Sequence, residues 1–140
     1  MSPNVLILLC ILLWGIWGLS SKLSNISNPP AFVTLAANLL YAILSLPLIW
    51  KIKNDATPIN WSLPAISWII LTGVVGVSAK LIFNYALSKE PASVVIPATS
   101  VFPIVTVVLA VLFLKEKITV VQGSGMLLCV IGVWMVTSGK

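Results

Sequence analysis

The chain has 140 residues, of which 59% are hydrophobic and only 8% are charged, and its formal net charge is +5. A soluble domain carries about 25% charged residues, so the composition excludes an ordinary soluble domain and favours the lipid bilayer as solvent. The lysines are scattered rather than clustered, so we expect no nucleic-acid partner. There is no histidine, and no acidic residue lies deep in an apolar run. We therefore expect neither an enzyme nor a bound metal or cofactor.

Five continuous apolar stretches take up most of the chain. They cover residues 4–21, 31–50, 65–87, 91–114 and 119–136. A helix needs about 20 apolar residues to cross the ~30 Å hydrocarbon layer, and continuous rather than alternating apolar runs favour helices over a barrel. The sequence thus predicts an all-α membrane protein, with five transmembrane helices forming a single domain over residues 1–140. Thr119 and Gln122 have the spacing of a capping box at the start of the fifth helix.

The lysines give only a weak indication of orientation in the membrane. Five spans put the termini on opposite faces, and the N-terminal face then carries Lys51, Lys53, Lys115 and Lys117. The opposite face carries Lys22, Lys89 and Lys140. Four lysines against three slightly favour a cytoplasmic N-terminus under the positive-inside rule. The alternative is dual topology, in which copies of the chain insert in both orientations.

Polar and small residues recur at helical spacing inside three of the spans. Positions separated by three, four or seven residues share one helix face, so each of these spans has a polar or small face. The residues are Thr34, Asn38, Tyr41 and Ser45 in the second span, Gly73, Gly76, Lys80 and Asn84 in the third, and Ser93, Pro97 and Ser100 in the fourth. Polar residues in a membrane are costly and mark substrate pathways. We therefore expect these faces to surround a cavity.

Lys80 is the most costly of these residues, because a lysine near a helix centre costs ~2.5–3.5 kcal/mol on insertion scales. One interpretation is a structural lysine that bonds a carbonyl or a neighbouring helix. The other is a fixed cation in a polar cavity that binds an anionic group or changes protonation during transport. Asn84 follows one helical turn later and could share the same ligand.

Two other features of the spans leave alternatives open. Trp14 and Trp17 lie in the middle of the first span, where the indole N–H needs a partner. They either pack against helix glycines or line a substrate path. Pro97 and Pro103 interrupt the fourth span and predict either a hinge or a static kink.

Several short motifs resemble one known family in their order and spacing. They are P-A-S-V-V-I-P at 91–97, P-I-V-T at 103–106, L-K-E-K-I at 114–118, Gln122 with Gly123, and Gly132 with Val133, together with Trp14 and Gly15 and the Y-A-L at 85–87. The chain thereby resembles the EamA-type domain of the drug/metabolite transporter superfamily, as a small single-domain, five-helix member. The resemblance implies a five-helix repeat that commonly occurs twice in one chain with inverted orientation. Members often have an arginine early in the second helix, where this chain has Asn38.

The residues and the resemblance together favour a secondary transporter of small organic metabolites or drug-like solutes that works by alternating access. Because five helices enclose a pathway poorly, we expect a homodimer, in which the two copies could be antiparallel. A prokaryotic inner (plasma) membrane is the expected location. The expected substrate-binding residues are Asn38, Tyr41, Lys80, Asn84, Ser100, Trp14 and Trp17. The alternatives are a non-transporting accessory subunit and a lipid-carrier flippase subunit.

Dual topology makes a direct prediction for C-terminal reporter fusions. A reporter that works only in the cytoplasm and one that works only outside it should both be active, because each orientation exposes the C-terminus on a different side. Activity of only one reporter, in the compartment that suits it, would contradict dual topology.

Overall fold

A computed structural model describes residues 2–55 and 58–139 of the chain, and this described part contains helices and no strand. The helices are α1 (Pro3–Ser27), α2 (Pro30–Ser45), α3 (Leu48–Asn54), α4 (Leu63–Lys89), α5 (Ala92–Thr99), α6 (Phe102–Leu109) and α7 (Val120–Ser138), with a π-helical segment (Ala110–Leu114) after α6. The prediction of an all-α fold is confirmed. Lys140, which enters the lysine count, lies outside the described residues.

Five helical segments are long and apolar enough to cross a membrane, as the sequence predicts. They are Pro3–Ser27, Pro30–Asn54, Leu63–Lys89, Ala92–Leu114 and Val120–Ser138. The helices extend beyond the apolar runs, and the extension changes the place of three lysines. Lys22 lies inside α1 rather than in a first loop, and Lys51 and Lys53 lie in the last turn of α3 rather than in a second loop.

The described contacts divide the chain into two compact units, Met1–Lys89 and Glu90–Lys140. In the first unit, α2 and α1 both pack against α4 and contact each other. In the second unit, α5 packs against α7, and α6 continues into the π-helical segment. The expectation of a single domain over residues 1–140 stays a prediction.

The buried residues are mainly polar, and most of the apolar side chains are exposed. Among the described large hydrophobic residues only Leu87 and Val95 are buried, whereas Ser21, Asn25, Thr34 and Asn84 are buried polar residues. Within each membrane-spanning window, at most 11% of the residues are buried by the protein itself. This pattern suits a lipid solvent, in which apolar side chains need no protein cover but polar groups need partners inside the helix bundle.

Two of the five spans are interrupted at or near prolines. The second span breaks at Leu46 and Pro47, between α2 and α3. The fourth span breaks at Ser100 and Val101, between α5 and α6. Pro97 lies inside α5 and Pro103 lies in the first turn of α6, so the two predicted prolines flank this break.

The capping box predicted for the last helix is present. Thr119 Oγ1 accepts a hydrogen bond from the Gln122 backbone N–H at 3.2 Å, and Gln122 Oε1 accepts one from the Thr119 backbone N–H at 2.8 Å. The two bonds satisfy donors that the first turn of a helix otherwise leaves without partners.

Replacing Thr119 by alanine should lower the free energy of unfolding by about 1 kcal/mol, the usual cost of losing an N-cap. Denaturant titration of the detergent-solubilised protein measures this loss. Ser124→Ala is the matched control, because the Ser124 hydroxyl donates to the Val121 carbonyl and caps no free N–H. Equal stabilities of the two variants would contradict a contribution from the cap.

Candidate functional site

The first unit contains an open cavity of about 420 Å³ between α1, α2 and α4. Its lining consists of Leu13, Trp14, Trp17, Tyr41 and Lys80. Four of these five residues have an aromatic or charged side chain, which is unusual for a surface inside membrane-spanning helices. The structure therefore brings together four of the predicted site residues, one or two from each of three helices.

Lys80 is half-buried and is held by two neutral groups. Its Nζ donates a hydrogen bond to Asn38 Oδ1 at 3.2 Å and lies 3.8 Å from the centroid of the Tyr41 ring. A lysine over an aromatic face gains about 0.5–2 kcal/mol, more where water is excluded. Asn38 thus joins the site by orienting the ammonium group. Both contacts of the ammonium group, with Asn38 and with the Tyr41 ring, are favourable to a positive charge.

Trp17 fixes the tyrosine ring on which Lys80 rests. Its Nε1–H donates to Tyr41 Oη at 2.9 Å, and its ring stacks on Phe83 with centroids 5.3 Å apart. The indole N–H therefore has the partner that a tryptophan in the middle of a span needs. Trp14 also lines the cavity, with 66% of its side chain exposed. A Cβ built on Gly15 would meet no atom of another helix within 4 Å.

Asn84 lies in a different place from the one expected. It is 1% exposed and belongs to a buried network rather than to the cavity lining. Its Nδ2 donates to Thr34 Oγ1 at 2.8 Å, and its Oδ1 accepts from Asn25 Nδ2 at 3.0 Å. Asn25 Nδ2 also donates to the Ser21 carbonyl at 2.8 Å. The network joins α1, α2 and α4 through neutral polar groups that lipid could not satisfy.

The contribution of α1 to this network was not predicted from the sequence. The apolar run ends near Ser21, and the residues beyond it read as a loop, but the helix continues to Ser27. Lys22 Nζ donates to the Leu87 carbonyl at 2.6 Å, close to the end of α4. The available signal was the spacing of Gly18, Ser21 and Asn25, which places all three on one helix face.

Ser100 and the two prolines belong to the second unit. The Ser100 hydroxyl donates to the Pro97 carbonyl at 2.6 Å, and its backbone N–H also donates to that carbonyl, at 3.1 Å. These bonds satisfy polar groups at the break in the fourth span, which Pro103 follows. The role of Ser100 in substrate binding stays a prediction, as does the role of the prolines as hinges.

The fold and the site define a class of protein before any comparison is made. Five apolar helices, with a cavity between three of them that is lined by aromatic side chains and one lysine, describe an integral membrane protein. The chain belongs to the EamA-like transporter family, whose sequence profile matches residues 1–138. The resemblance identified from the motifs is thereby confirmed over nearly the whole chain. Members of this family are membrane transporters of the drug/metabolite superfamily rather than enzymes.

The chain is also similar to an uncharacterized protein of the archaeon Methanocaldococcus jannaschii. The two are 34% identical over 129 residues, which cover 92% of this chain and 91% of the relative. No solved structure matches the chain.

Replacing Asn84 by leucine should lower the free energy of unfolding by about 1–3 kcal/mol, because it leaves a buried Asn25 amide without one of its acceptors. Unfolding in mixed detergent micelles measures the change. Asn28→Leu is the control, because Asn28 is exposed and bonds only within its own helix. The double variant Asn25→Leu with Asn84→Leu should recover part of the loss, since both polar partners are then removed. A single Asn84→Leu variant as stable as Asn28→Leu would contradict the network.

Proposed function

We propose that this protein is a secondary transporter of small organic metabolites or drug-like solutes, which works by alternating access as a homodimer. The observation that carries the proposal is the position of the Lys80 ammonium group at an open cavity inside membrane-spanning helices. Lys80 lies about 13 Å from Lys89, the last residue of α4, at ~1.5 Å per residue. Its charge is therefore far from the nearer helix end, and snorkelling relieves only part of its cost.

The lining of the cavity supports solute binding over a purely structural lysine. A structural lysine would be expected to point at a carbonyl or to pack between helices, as Lys22 does at Leu87. Lys80 also bonds a neighbouring helix, at Asn38 of α2, but in addition it faces an open volume of about 420 Å³, within the ~300–1,000 Å³ range of small-molecule sites. We propose Lys80, Asn38, Tyr41, Trp14 and Trp17 as the residues that contact or orient the solute. In the same proposal, Asn84 and Ser100 become part of the path in another state of the cycle.

The exposed helix faces support a second copy of the chain as the partner. Five helices enclose a pathway poorly, and the spans bury little surface within one chain. Gly73, Gly76, Gly125 and Gly132 have open space around them, so their faces are available for close helix contact. The nearly balanced lysines allow an antiparallel pair, which would reproduce the inverted repeats of longer transporters. The proposed location is a prokaryotic inner (plasma) membrane, and the proposed hinge lies at Pro97 and Pro103.

Replacing Lys80 by methionine should abolish transport and spare expression and membrane insertion. A screen of metabolites for thermal stabilisation of the purified protein first supplies a ligand, because a bound solute stabilises the folded state by mass action. Uptake of that ligand into liposomes then compares wild type with Lys80→Met. Lys53→Met is the matched control, because Lys53 is exposed in the last turn of α3 and distant in sequence from the cavity residues.

Three outcomes would contradict the proposal. Full uptake by Lys80→Met would show that transport does not require Lys80. Uptake that appears only after a partner chain is added would favour the accessory-subunit alternative, and movement of a lipid carrier rather than a soluble metabolite would favour the flippase alternative.

A further inference from the structure

We propose that the solute of this site is a small organic anion with one negative charge per chain and a flat apolar body. In this arrangement, the anionic group lies at Lys80 Nζ and the apolar body lies against the aromatic wall formed by Trp14, Trp17 and Tyr41. The inference rests on the proposed function, because it names the class of solute for that same cavity.

The first argument is that the Lys80 charge has no counter-ion in the membrane. The whole chain has three acidic residues, Asp55, Glu90 and Glu116. Each lies outside the five membrane-spanning segments. A second copy of the chain brings the same three residues, so a homodimer cannot supply a carboxylate from within a span either. An ion in a low-dielectric medium needs an opposite charge, and here that charge has to come with the solute.

The second argument is that the site is rich in hydrogen-bond donors. An ammonium group has three N–H donors and no acceptor, and Asn38 Oδ1 takes one of those of Lys80. Tyr41 Oη accepts the N–H of Trp17, which leaves its own O–H proton to donate. Lys80 and Tyr41 can therefore both donate to one carboxylate. The acceptor nearest to the charge, Asn38 Oδ1, is already engaged.

The third argument excludes a cationic solute, for which an aromatic wall would otherwise be well suited. Aromatic faces attract cations, but the Tyr41 ring already has the Lys80 ammonium 3.8 Å from its centroid. A second cation in the same cavity would be repelled by Lys80, even where it reached the exposed ring of Trp14. Trp17 stacks on Phe83 and donates to Tyr41, so two rings of the wall are held in place for contact with an apolar or aromatic body.

Three probes of one shape and different charge test the inference. They are 3-phenylpropionate, 3-phenylpropan-1-ol and 3-phenylpropylamine, titrated calorimetrically into the full-length protein in detergent. We expect the propionate to bind at least tenfold more tightly than the alcohol, and the amine to bind most weakly. Lys80→Met should remove the preference for the propionate over the alcohol, and Tyr41→Phe should reduce it severalfold.

Two variants control for indirect effects. Lys80→Arg keeps the charge and should keep the preference for the anion, whereas Lys53→Met changes a lysine outside the cavity and should behave as wild type. Binding of the amine as tight as that of the propionate would overturn the inference. So would a propionate that binds no more tightly than the alcohol, or a preference that survives in Lys80→Met.

Counterflow of the same probes in liposomes separates this inference from the proposed function. The propionate could bind with the expected preference without being moved across the membrane. That result would contradict transport and support the anion site. Movement of the amine in place of the propionate would support a transporter and overturn the anionic solute.

Discussion

The structure depends on one constraint, which is that the lipid offers no partner to a polar group. The first unit meets it by turning its polar side chains towards the seam between α1, α2 and α4, while its apolar side chains face outward. The neutral groups bond one another, as Asn25, Asn84 and Thr34 do, although Asn25 Oδ1 is buried without a hydrogen-bond partner. Lys80 is the exception, because its two neutral contacts orient the charge and do not neutralise it.

The cavity and the buried network are mechanically joined through α4. Lys80 and Asn84 are one helical turn apart, about 6 Å along the axis, and α2 supplies Asn38 to the first and Thr34 to the second. A movement of α2 against α4 that widened the cavity would therefore also strain the network. Neutral hydrogen bonds are individually modest, with net values of about 0.5–1.5 kcal/mol. Such a seam holds the helices in register and can still be broken during a transport cycle.

The sequence predicted the helices well because continuous apolar runs of this length have few other structures in a bilayer. It also predicted that Asn38, Tyr41 and Lys80 lie at one cavity, since helical spacing put them on the polar faces of the second and third spans. Spacing could not separate Lys80 from Asn84, because residues that share a face can still lie at different depths. It also missed Asn25, because a lysine at position 22 reads as the end of a span. That lysine lies inside α1, and its ammonium group donates to the Leu87 carbonyl, a tertiary contact that hydropathy cannot report.

The pairing of Asn38 with Lys80 gives a physical meaning to the departure from the family pattern. The family resemblance implies an arginine early in the second helix of many members, whereas this chain has no arginine and has its cation on α4. A second cation at the 3.2 Å that separates Asn38 Oδ1 from Lys80 Nζ would be repelled by about 5 kcal/mol even at an effective dielectric constant of 20. The amide oxygen of Asn38 attracts the ammonium group, because it accepts a hydrogen bond from Lys80 Nζ at 3.2 Å. The site therefore holds a single positive charge per chain, with its orientation fixed by Asn38, which matches a solute with one anionic group better than one with two.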